Sequence, residues 1–200
     1  MCIRDRFNSD DYFHGISLQE MTSFIDNSSI NCAATISTGN TPPTVSIISG
    51  GFHIPMSTAF ELTAVGEDID GDMLTYCWEQ FDGSFQQAPL GSPSGTTPHF
   101  RSFQPSASPT RVFPQINKIV ANNYSSQDEY TPDYAREFNF NITVRDNNAG
   151  AGGIVWDALT FDVTEAAGPF EVMTPNTNIC LLYTSPSPRD ATLSRMPSSA

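Results

Sequence analysis

The sequence predicts a mainly β chain: a two-layer antiparallel β-sandwich preceded by one short α-helix. Three observations point there. Short runs of alternating apolar and polar residues recur between positions 44 and 163, with turn residues between them. In the run at 73–80, Leu74, Tyr76 and Trp78 alternate with Thr75, Cys77 and Glu79, giving a strand with an aromatic face. The 13 Gly and 15 Pro among 200 residues favour frequent turns over long helices.

In chain order the helix comes first. Ser17 is the expected N-cap, and Glu20 three residues later completes a capping box. Leu18, Met21, Phe24 and Ile25 follow at helical spacing and make one apolar face, and Asp26-Asn27-Ser28-Ser29 ends the helix. So short a helix needs a surface to pack on, and no other stretch offers a helical partner. Residues 33–43 are small and polar and close on Pro42-Pro43, which marks a linker.

Strands are expected at 44–48, at 58–65 with Phe60, Leu62 and Ala64 on one face, and at 73–80. After a Gly/Pro/Ser-rich loop at 83–98 come short strands at 100–103 and 111–113. A long polar connection, 119–135, leads to a strand at 137–145, where Phe138, Phe140, Ile142 and Val144 face one way. The turn 146–153 and a strand at 154–163 complete the set. The expected organisation is thus a helical remnant at 7–36, a sandwich at 40–166, and a linker with the first strand of a further module at 167–179.

A formal net charge of −13 argues against nucleic acid or an anionic membrane surface as partner, and suits a secreted, calcium-exposed protein or, equally, an ordinary soluble surface. No run of about 18 apolar residues suggests a membrane span. Residues 1–6 lack the apolar core of a signal peptide. They and residues 180–200 resemble translated sequencing-adapter read-through, with a Ser/Pro-rich disordered tail as the alternative for the latter. The chain is therefore expected to be cut at both ends, and secretion or cell-surface display is not excluded by the missing leader. Of the four Cys, Cys2 and Cys180 lie in those ends. Cys32 and Cys77 can pair only across two predicted domains; the reading taken is that Cys77 is a lone buried thiol and that Cys32 has a partner upstream.

The sharpest chemical signal is the turn Asp68-Ile69-Asp70-Gly71-Asp72. Calcium takes six to eight oxygen ligands, and carboxylates at alternating positions of a tight turn can converge on one ion. Asp146, in a turn at the same end of the expected sandwich, completes a candidate calcium set of Asp68, Asp70, Asp72 and Asp146. A rival EF-hand reading puts Glu79 at the twelfth position, but Met73 stands where that loop requires Gly. No catalytic set is visible. There is no nucleophile elbow, no carboxylate pair stands out, and His14, His53 and His99 lie in no H-E-x-x-H spacing, so no zinc site is expected here. Trp156, Tyr124, Tyr130 and Tyr134 are read as core edge and loop packing rather than as a carbohydrate platform.

Two resemblances add to this. The run from Asp68 to Trp78 matches the D-x-D-G-D-x-L-T-Y-x-W pattern of immunoglobulin-like modules of the PKD or cadherin-like kind, and Asn40-Thr41-Pro42-Pro43-Thr44-Val45 resembles their usual opening. Asp10-Asp11-Tyr12-Phe13-His14-Gly15-Ile16-Ser17-Leu18-Gln19-Glu20-Met21, continuing through Phe24 and Ile25 to Cys32, resembles the C-terminal helix of reprolysin-like (adamalysin-type) zinc metallopeptidase domains. The pair implies the accessory, non-catalytic portion of a secreted metalloendopeptidase. Zinc, and the protein or peptide substrate, would then belong to the catalytic domain upstream. The alternative is a calcium-binding adhesion or polysaccharide-binding module of a cell-surface protein.

Overall fold

The structure, a computed structural model, describes residues 11–27, 36–48, 50–82 and 91–170. The predictions for residues 1–6 and 180–200, the new strand after 170, and Cys32 lie outside the described residues. The fold is mostly β. Helix α1 spans Gly15–Asn27, followed by β1 (Thr44–Ile47), β2 (His53–Pro55), β3 (Phe60–Glu67), β4 (Thr75–Gln80), β5 (Thr110–Phe113), helix α2 (Ile116–Val120), β6 (Arg136–Arg145) and β7 (Ile154–Thr164). One sheet has the order β1-β3-β5 and the other β2-β7-β6-β4. Helix α1 and both sheets fall in one compact unit. No described helix is long and apolar enough to cross a membrane.

The inward faces follow the predicted alternation. Leu62 and Ala64 of β3, Trp78 of β4, the four predicted residues of β6, and Leu159, Phe161 and Val163 of β7 are all buried. Six phenylalanines form the middle of the core. Phe60 stacks on Phe113 at 5.1 Å between ring centroids, Phe140 stacks on Phe161 at 5.7 Å, and Phe100 and Phe138 meet them edge-on or tilted. Each such ring contributes about 2–3 kcal/mol by leaving water. Trp78 keeps its polar edge satisfied by donating Nε1–H to the Pro109 carbonyl at 3.0 Å. Cys77 is a free buried thiol, as expected, and burial pushes it up to about 11.

Four expectations need correction. Ser17 is not the N-cap: α1 begins two residues earlier, at Gly15, and its first N–H is satisfied by the Glu79 carboxylate across the structure. A through-space cap is invisible to local pattern. Residues 100–103 form no strand. Both the Phe100 and His99 N–H groups donate to the Gln80 side chain, and Phe100 makes an isolated bridge to Glu129. Strand β2 was not expected; it pairs with β7 in parallel, so the sandwich is not purely antiparallel. Helix α2, a single turn at Ile116–Val120, was not expected and overlaps the start of the connection read at 119–135.

Candidate metal centre

Strand pairing assembles this site from three segments. Thr44 of β1 pairs with Glu67, the last residue of β3, so residues 40–43 run beside the 68–72 turn. Thr75, the first residue of β4, pairs with Arg145, the last of β6, so Asp146 arrives at the same end. The turn closes on Gly71, whose φ of +79° is the left-handed conformation that glycine adopts without strain. Asp68 Oδ1 organises it by accepting the N–H groups of Asp70 at 2.9 Å and Asp72 at 3.1 Å.

Three of the four predicted carboxylates converge. One oxygen each from Asp68, Asp72 and Asp146 lie within 4.8 Å of one another. Asp70 goes elsewhere and accepts the Thr41 N–H at 2.7 Å, which pins the linker to the turn. Asp146 is only 1% exposed. Burial by itself would raise its carboxyl, but hydrogen bonds from the Asn40 side chain and from the N–H groups of Asn148 and Gly153 hold it below the usual range. It is therefore an anion at neutral pH. Asp72 Oδ2 accepts from the Asn148 side chain at 2.9 Å. Among the described ion pairs, none places Lys, Arg or His on these three carboxylates.

The arrangement has unmet acceptors. Asp68 Oδ2 and Asn40 Oδ1 are buried with no hydrogen-bond partner. Asn40 cannot be reversed to cure this, because its Nδ2 donates to Asp146 Oδ2 at 2.7 Å and to the Ala151 carbonyl at 2.9 Å. Two unit negative charges 4.8 Å apart repel by about 3 kcal/mol at an effective dielectric of about 20. Clustered carboxylates, orphaned acceptor oxygens and no cationic partner among the described ion pairs form a group that could hold a metal ion. All three grouped ligands are carboxylate oxygens, the type that hard cations take, whereas zinc prefers thiolate and imidazole.

Asn40 is the member that sequence reading missed, because a lone Asn in a Pro-flanked linker carries no signal until β1 pairs with β3. The EF-hand alternative fails on geometry, since strand β4 runs from Thr75 to Gln80, through the twelfth position at Glu79, where that motif passes into its second helix. The histidines are engaged elsewhere. His14 Nδ1 lies 2.7 Å from Glu79, His53 lies 3.7 Å from Asp162, and His99 is buried between the Tyr130 carbonyl and the Tyr134 hydroxyl. No protein-family model, curated protein or solved structure matches the chain.

Proposed function

We propose that the chain is a non-catalytic accessory module, an immunoglobulin-like sandwich clamped by calcium, that serves a secreted zinc metalloendopeptidase as a spacer or substrate-surface binder. The observation that supports the clamp is the convergence of Asp68, Asp72 and Asp146 with orphaned oxygens on Asp68 and Asn40. The ion would tie the 40–43 segment, the β3–β4 turn and the β6–β7 turn together. It would thereby stiffen the point where the preceding chain joins the sandwich. In this reading Asp68 and Asp146 are already held by backbone N–H groups, Asp72 by the Asn148 side chain and Asn40 through its own Nδ2, so little side-chain freedom is lost on binding. The peptidase assignment is supported by the resemblance of residues 10–32, and places hydrolysis in a domain upstream, where zinc would activate a water.

Thermal unfolding of the purified chain tests the clamp. With calcium about 100-fold above its Kd, Tm is expected to rise by roughly 10 °C over the EDTA-treated protein. Asp68→Asn is expected to remove the rise, while Asp70→Asn keeps most of it, since Asp70 serves the linker rather than the cluster. No shift in the wild type sinks the calcium clamp. Zinc-dependent cleavage of a peptide by the purified chain would overturn the non-catalytic assignment.

A further inference from the structure

The outward face of β6 is polar, as the exposed face of a sandwich normally is. Here, however, its middle is covered. Asn141 is 2% exposed and Thr143 is 0% exposed, and α1 packs against this strand. The cover is fastened at one end. Glu79, beside Asn141 in the register, accepts from the Gly15 N–H at 2.6 Å, from His14 Nδ1 at 2.7 Å and from the Ser102 hydroxyl at 2.8 Å. Arg145 Nη2 donates to the Phe13 carbonyl, and Gln104 Nε2 donates to Asp11. A Cβ on Gly15 would stand 2.9 Å from both Glu79 Oε2 and Thr143 Oγ1, so the first turn rests directly on the sheet.

Beyond that fastening the chemistry is reversed. Both amide atoms of Asn141, the Thr143 hydroxyl and Arg145 Nη1 are buried without a hydrogen-bond partner. Buried polar groups in folded proteins are otherwise met by protein or by ordered water. At the same time Ile16, Met21, Phe24 and Ile25 of α1 are exposed. The helix covers a polar face while its own apolar stripe stays in solvent.

We propose that α1 is a strap fixed at its first turn and able to lift. Water both donates and accepts, so lifting meets the amide, hydroxyl and guanidinium groups that the closed form leaves unpaired. Lifting exposes no core, because the face beneath is already polar. It uncovers Glu79, Asn141, Thr143 and Arg145 beside Trp156, which pairs with Thr143 across β7.

Hydrogen exchange on the whole chain at neutral pH tests the strap. Amides of α1 are expected to exchange about 100-fold or more faster than those of β6, through local opening. Gly15→Ala is expected to speed α1 by roughly another 10-fold with β6 unchanged. A common protection across α1 and β6 overturns the strap. Thr143→Val removes one of these unpaired groups and keeps the shape. Slower exchange of α1 is expected, because the closed form no longer buries an unmet hydroxyl; unchanged or faster exchange overturns the account of lifting.

Discussion

The two faces of β6 share one backbone and differ in what burial does for them. Inward, Phe138, Phe140, Ile142 and Val144 are at most 1% exposed and lie in the aromatic core. Outward, Asn141 and Thr143 are as deeply buried and have no partner. A third site, Glu129, shows the remaining combination. It is 0% exposed yet fully served by Arg111 at 3.2 Å, Lys118 at 3.1 Å and the Gln115 N–H at 2.9 Å. Burial stabilises apolar surface outright, stabilises a charge only when its lone pairs are met, and penalises a polar group left alone.

The comparison can be broken from its strongest side downwards. Phe140→Ala is expected to lower unfolding free energy by about 4 kcal/mol in urea denaturation, since it opens a cavity among the stacked rings. A loss under about 1 kcal/mol would mean that this face is not the core. Glu129→Gln is expected to lose about 3 kcal/mol, because Arg111 and Lys118 keep their charge in a site that no longer balances it. Near-neutral behaviour would place Glu129 with the poorly served groups of the β6 outer face.

His99 gives the smaller, pH-dependent effect. Burial first, and then the Arg136 charge, push its imidazole from 6.5 down to about 4. The folded protein therefore holds it neutral where the unfolded chain binds a proton. Stability from this site is complete above pH 6.5, declines as pH falls toward 4, and reaches its full loss below that. Urea midpoints measured between pH 7 and 4 should fall less in His99→Gln than in the wild type. Equal slopes would remove His99 as the cause.

The inner face was readable in the sequence because alternation by two is a local property of a strand. Phe138, Phe140, Ile142 and Val144 declare it, as do Leu62 and Ala64 on β3. The Asp68–Asp72 turn was readable for the same reason, since Gly71 and the alternating carboxylates are neighbours in the chain. Less was readable where a contact spans the fold. Ser17 looks like a cap by spacing, but Glu79 takes the role from 64 residues away. Strand β2 is three residues long and too short to show a period. The run at 100–103 looks like a strand, yet Gln80 takes the His99 and Phe100 N–H groups where it begins.

By itself, then, the chain determined a mostly β protein with an aromatic core and an acidic turn, since periodicity and turn chemistry act over a few residues. Only tertiary structure decided which carboxylates meet. The β1–β3 and β4–β6 registers bring Asn40 and Asp146 to the turn and send Asp70 to the linker. Tertiary structure also decided that a polar sheet face would lie under a helix, because which surfaces come together depends on the path of the whole chain.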